Sequence, residues 1–119
     1  MNYYLVVDWL KASNLIDGFV VRSGTVEAPI SAKEKRICVS PMGGTLISDV
    51  NNEVLVNVSF FSNQSGYTKD FNDSIIAILN HSRENYSFNG YTIQCISNLT
   101  KPVPLDGGRV MVECGFRIL

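Results

Sequence analysis

Strict alternation of apolar residues over 53–61 is the feature that most limits what this chain can fold into. Successive side chains of an extended backbone point to opposite sides, so every second residue of this stretch shares one face. The residues on that face are Val54, Val56, Val58 and Phe60. The stretch therefore predicts a central β-strand with one apolar face.

A second apolar pattern follows this strand, and it has helical spacing. The residues that would form one stripe on a helix over 71–83 are Phe71, Ile75, Ile78 and Leu79. Asp70 precedes the stripe, and its carboxylate is predicted to cap the helix N-terminus. The stripe needs an apolar surface to cover, and the central strand supplies one. We therefore expect this helix to pack on one face of a sheet.

The rest of the chain contains shorter elements separated by turn signals. Apolar spacing predicts an N-terminal helix over 2–13 and a long hairpin excursion over 42–50, and the dipeptide Asn89-Gly90 is the strongest hairpin signal. The order α-β-β-β-α-β-β predicts an α+β fold over a single domain, 1–119. We expect a mainly antiparallel sheet with the N-terminal helix and the longer helix packed on one face. Further strands are expected over 19–22, 36–40, 91–97 and 109–118.

Charge and N-terminal composition exclude several classes of partner. Ten basic and eleven acidic side chains give a formal net charge of −1, which disfavours specific nucleic-acid binding. The first residues have no basic region, and Asp8 interrupts their apolar run, so neither a signal peptide nor a membrane span is predicted. We expect a protein that stays in a cytoplasm and has no membrane partner.

Few residues are suited to catalysis or to metal binding. Cys38, Cys95 and Cys114 each lie in an alternating apolar run, which predicts buried, reduced thiols. His81 is the only histidine and has no nucleophile signature around it, so we interpret it as a surface or edge residue. No catalytic residue, cofactor or metal is therefore expected. A hydrolase that uses Cys38 or Cys114 with His81 is kept as an alternative hypothesis.

Apolar residues that do not face the predicted core favour self-association. They lie on the outer face of the central and last strands and in the long loop, and together they would exceed the apolar surface that a monomer usually exposes. Leu119 also belongs to this surface. The alternative is that the N-terminal helix covers part of the surface. The residues predicted to form an oligomer or partner interface are Met42, Gly43, Gly44, Thr45, Leu46, Ile47, Leu55, Phe61 and Met111.

The order of elements resembles that of the tail terminator (tail-completion) proteins of long-tailed bacteriophages. The shared features are a short N-terminal helix, a strand such as 36–40 that leads through a long hairpin loop into a strand such as 53–61, a helix such as 70–83, and a closing hairpin. The resemblance spans nearly all of the chain. It implies a structural virion protein of the tail, not an enzyme, that is assembled in the cytoplasm of the bacterial host.

The resemblance also implies partners. Subunits of that family form a ring, commonly a hexamer, that caps the tail tube, stops polymerisation of the tail tube protein and offers a face to the head-completion proteins for head-tail joining. The alternative hypothesis is a non-enzymatic phage or bacterial accessory protein that binds a host protein. The mass of the assembly in solution discriminates between the two.

Overall fold

The computed structural model describes residues 4–23, 33–41 and 54–119. The predicted excursion over 42–50, and with it the predicted interface residues 42–47, lies outside these ranges. Within them the predicted order of elements is confirmed, and two short strands are added to it. The helices are α1 (Tyr4–Ala12) and α2 (Lys69–Glu84), and the strands are β1 (Phe19–Ser23), β2 (Lys35–Pro41), β3 (Val54–Phe61), β4 (Ser87–Phe88), β5 (Tyr91–Cys95), β6 (Val103–Pro104) and β7 (Val110–Ile118).

The strands pair in the spatial order β1-β2-β3-β7-β5-β4, and β6 also pairs with β7. β1 runs parallel to β2, and the remaining pairs are antiparallel. β3 and β7 lie side by side at the centre, where Val56 is opposite Phe116 and Phe60 is opposite Val112. The predicted α+β class with a mainly antiparallel sheet is confirmed, and 53–61 does contain a central strand.

One face of the sheet carries the hydrophobic core. Directly opposed residues of neighbouring strands share a face, so the alternating apolar residues of β2, β3 and β7 form one continuous surface. Both helices bury their apolar side chains against it. The core residues of the sheet include Ile37, Val39, Val56, Val58, Phe60, Val112, Phe116 and Ile118, and those of the helices are Val6, Val7, Trp9, Leu10, Phe71, Ile75 and Ile78.

Trp9 fixes α1 on the same face of the sheet as α2. Its ring centroid lies 5.8 Å from that of Phe116 in β7 and 5.5 Å from that of His81 in α2. Its Nε1–H donates to the carbonyl oxygen of Asn85 at 3.2 Å. Both helices thus lie on one face of the sheet, as predicted. The alternative in which the N-terminal helix covers part of the outer face was wrong, because the apolar side of α1 packs beside α2.

Local sequence explains where α2 begins and how β4 turns into β5. Thr68 caps α2 with an extended backbone, and its Oγ1 accepts from Phe71 N–H at 3.2 Å. The predicted cap, Asp70, instead lies in the first turn, where its charge favours the helix dipole. The predicted hairpin turn at Asn89-Gly90 is confirmed, since both residues have positive φ, 50° and 82°.

Candidate functional site

The face of the sheet opposite the helices, here called the back face, carries three of the residues predicted to form an interface. Phe61 and Met111 are directly opposed on β3 and β7, whereas Leu55 is opposed to Arg117 near the other end of the same strand pair. Leu55 and Met111 are half-buried, and Phe61 is only 3% exposed. The structure thus brings Phe61 and Met111 together and places Leu55 apart from them.

Three exposed apolar side chains, here called the rim, extend the back face along one edge of the sheet. They are Ile96, Val103 and Leu119, which are 42%, 43% and 42% exposed. Val103 is opposed to Met111, Ile96 N–H donates to Gly115 O of β7 at 2.9 Å, and Leu119 exchanges two 2.9 Å hydrogen bonds with Thr92. The rim therefore lies just after the end of β7 and on the segments that run beside β7.

Sequence reasoning predicted Leu119 but missed the other two rim residues. A signal was present for Ile96, because it is out of phase with the apolar alternation of Tyr91, Ile93 and Cys95. None was present for Val103, since its face depends on pairing between residues 103–104 and β7, which is a tertiary contact. Pro102 before it indicated only a turn.

The centre of the back face is polar. Glu113 Oε2 accepts from Asn57 Nδ2 at 3.0 Å and from Ser59 Oγ at 3.2 Å, and Ser59 is fully buried. Arg36, 3% exposed, forms an ion pair with Glu34 at 2.7 Å. Buried polar groups are costly unless they are hydrogen-bonded, so these pairings make the burial tolerable. The apolar part of the back face is thus confined to its ends and to the rim.

A groove of about 720 Å³, here called the thiol groove, opens between the end of α2 and the edge of β5. Of the described residues that line it, two are arginines, and none has a carboxylate. Arg117 Nη2 donates to Gln94 Oε1 at 2.7 Å, which holds that guanidinium at the groove wall. The lining residues are Ser82, Arg83, Tyr86, Gln94, Cys95, Ile96, Ser97, Asn98 and Arg117.

The edge of β5 is open beside this groove. In the described part of the chain, β4 is opposed only to Tyr91 and Thr92, and Tyr86 O accepts from Ile93 N–H at 2.6 Å. Peptide groups of an antiparallel strand point alternately to its two sides. Since Ile96 N–H is directed to β7, the N–H and C=O of Cys95 are directed away from β7, towards the side where β4 has ended.

The three cysteines differ in exposure. Cys38 and Cys114 are 1% and 2% exposed, as predicted, but Cys95 is half-buried and lines the thiol groove. The prediction of burial was wrong for Cys95 because alternation indicates the face of a residue and not whether a neighbouring strand covers its end of the sheet. In its protonated form, Cys95 Sγ donates to Ser97 O at 3.2 Å.

The environment of the two neighbouring thiols moves their pKa values in opposite directions. The hydrogen bond from the Cys114 thiol lowers the pKa of Cys95 to about 6, with a further contribution from the positive charge of Arg83, while partial burial opposes the shift. The pKa of Cys114 is raised by the same hydrogen bond and by burial. The interaction therefore favours the thiolate form of Cys95 and the protonated form of Cys114.

His81 contacts Trp9 and Asn85. Its ring packs on Trp9, and its Nδ1 lies 3.2 Å from Asn85 Nδ2. Cys38 lies on the back face, on the other side of the sheet from α2, so the structure does not bring it to His81. Among the described residues there is no cluster of three potential metal ligands and no helix that meets the length and hydropathy of a membrane span.

Comparison with known proteins identifies one family. The profile of a family described as phage tail termination protein matches residues 1–119. No curated protein matches the sequence significantly.

Proposed function

The chain belongs to the phage tail termination protein family, and from this premise we propose that its subunits form a ring that caps the tail tube. The ring, a hexamer as in the proteins that the sequence resembles, stops polymerisation of the tail tube protein. Its opposite side offers the surface on which head-completion proteins join head and tail. The protein assembles in the cytoplasm of the host and remains in the tail of the virion.

The observation that carries this proposal is the rim. A ring built head to tail needs two different patches on each subunit, one for each neighbour. Ile96, Val103 and Leu119 place exposed apolar side chains along one edge of the sheet, and Val103 lies beside half-buried Met111. Interfaces of this kind bury apolar side chains within a polar surround, and the Glu113 cluster and the arginines of the thiol groove supply polar neighbours.

The second patch is assigned from sequence. The stretch 42–47 contains Leu46 and Ile47 between glycine- and asparagine-rich segments, and it precedes β3 at the centre of the sheet. We assign it to the contact with the rim of the neighbouring subunit. Leu55, Phe61 and Met111 are assigned to the same patch as the rim, in which Phe61, itself buried, is directly opposed to Met111 on the neighbouring strand.

The test is a rim variant, Val103→Asn with Leu119→Asn. Both side chains are exposed, and asparagine leaves the charge unchanged, so the variant should fold like the wild type. We expect light scattering to give the 13.2 kDa subunit mass for the variant and a multiple of it for the wild type. Tail tubes grown with the variant should have uncontrolled lengths in electron micrographs.

The matched control is Ile76→Asn, which removes a side chain of similar exposure, 41%, from α2. It should keep the wild-type mass and terminate tubes normally. A rim variant that also does so would exclude the rim from the interface. A wild-type protein that stays monomeric both alone and with tail tubes would instead favour the accessory protein that binds a host partner.

A further inference from the structure

Cys95 and Cys114 form a thiol pair that tail termination does not require. Cys95 is opposed to Phe116, and Cys114 precedes Phe116 by two positions on β7, so the two side chains share a face as diagonal neighbours. Each thiol shifts the pKa of the other, which places the two sulfurs within interaction range. Cys114 is 2% exposed, so a reagent in solvent can reach the pair only through Cys95.

The charges around the pair favour an anionic reactant. Arg83 and Arg117 line the thiol groove with Cys95, and the described lining contains no carboxylate. A thiolate, not a thiol, is the nucleophile in thiol–disulfide exchange, and nearby cations and hydrogen-bond donors favour it. The pKa of Cys95, lowered to about 6, favours this thiolate form near neutral pH.

We propose that the Cys95–Cys114 pair is a thiol-exchange site whose substrates are small disulfides that carry carboxylates. The Cys95 thiolate attacks one sulfur of the disulfide and forms a new S–S bond to it. The original S–S bond breaks, and its other half leaves as a thiolate with the bonding electron pair, so no further oxidant is consumed. Arg83 and Arg117 bind the carboxylates, and Cys114 is a positioning residue that donates its S–H to the Cys95 sulfur.

Two reagents of different charge test the proposal. Dithionitrobenzoate is a disulfide with two carboxylates, and dithiodipyridine is a neutral one. Native protein is mixed with each over a pH series, the rate is followed by absorbance, and the modified residue is identified by peptide mass spectrometry. We expect modification of Cys95 alone, at a rate that rises as the pH passes through about 6.

Variants separate the roles of the neighbours. Arg83→Gln should slow the anionic reagent roughly fivefold more than the neutral one, the scale of one nearby charge in a solvated groove. Arg22→Gln removes the same charge from β1, at the opposite edge of the sheet, and should change neither rate. Cys114→Ala should move the pH profile of Cys95 upwards, and Cys114→Ser, which keeps a donor, should restore it.

The wild type and the rim variant are both assayed, because the proposed ring would cover part of the thiol groove. Modification of Cys95 in either protein, whether the adduct persists or Cys114 displaces it to give a Cys95–Cys114 disulfide, supports the site. Absence of reaction in both overturns it and leaves the ring proposal standing. Equal slowing of the two reagents by Arg83→Gln overturns the selection of anionic disulfides.

Discussion

Burial differs sharply between neighbouring residues of α2, and the difference sets their tolerance to substitution. Ile78 is 1% exposed and packs into the core, whereas Ile76, two positions away on the same helix, is 41% exposed. Two helical positions correspond to roughly 200° of rotation about the axis, which turns one side chain to the sheet and the other to solvent. The identical side chain thus occurs in two environments within one element.

We predict that Ile78→Asp prevents soluble folding and that Ile76→Asp does not. An unpaired carboxylate in the interface between helix and sheet costs several kcal/mol, a large part of a total stability of about 5–15 kcal/mol. Ile76→Asp makes the same substitution at the solvent-exposed face and should lower the melting temperature little. Expression in the soluble fraction and thermal melting by circular dichroism measure both, and equal behaviour of the two variants would contradict the burial assigned to Ile78.

Single residues were predictable from sequence where one periodicity decided their environment. Alternation placed Val56, Val58 and Phe60 in the core because the strand is central and covered along its length. The same rule failed for Cys95, whose exposure depends on where β4 ends. β4 pairs with only two residues of β5, and the alternation within β5 does not encode that end point. Burial at a sheet edge is a property of the neighbouring strand.

At the scale of elements, the chain order was predictable and the lateral arrangement was not. Apolar periodicity and turn residues lie within each element, so the helices, the main strands and the Asn89-Gly90 turn were predicted correctly. The packing of both helices on one face of the sheet was also predicted, whereas the parallel pairing of β1 with β2 and the two-residue strands β4 and β6 depend on contacts between residues far apart in sequence. Such contacts leave no local periodic signal.

The beginning of α2 gives a prediction about an element boundary. Thr68→Ala removes the oxygen that accepts from Phe71 N–H and should lower stability by about 1 kcal/mol. Thr68→Ser keeps the acceptor and should restore most of the loss. Asp70→Ala, which removes only a favourable charge in the first turn, should cost less than Thr68→Ala. Urea unfolding measures the free energy of unfolding of the three variants. A larger loss for Asp70→Ala than for Thr68→Ala would show that Asp70, and not Thr68, is the main cap.

At the scale of the whole molecule, the proposed assembly depends on two patches that do not overlap. The rim lies at the β5 and β6 side of β7, whereas the stretch 42–47 precedes β3 in sequence, and β3 pairs with the other side of β7. Two separate patches allow each subunit to contact two neighbours, and repetition of one such contact closes a ring. A self-complementary patch would instead end at a dimer, so the geometry of the interface decides between a ring and a pair.

Mixing two variants with different defects tests this arrangement directly. The rim variant keeps an intact 42–47 stretch, and a loop variant, Leu46→Glu with Ile47→Lys, keeps an intact rim. In a head-to-tail assembly each variant alone should remain monomeric, because every contact needs one patch of each kind. The mixture should give a complex of twice the 13.2 kDa subunit mass and nothing larger, since joining one intact rim to one intact stretch leaves only defective patches free. Light scattering with chromatography measures these masses.

A loop variant that dimerises by itself would show that rim contacts rim. A mixture that stays monomeric would show that the two patches do not meet, which would reject the head-to-tail ring built from them.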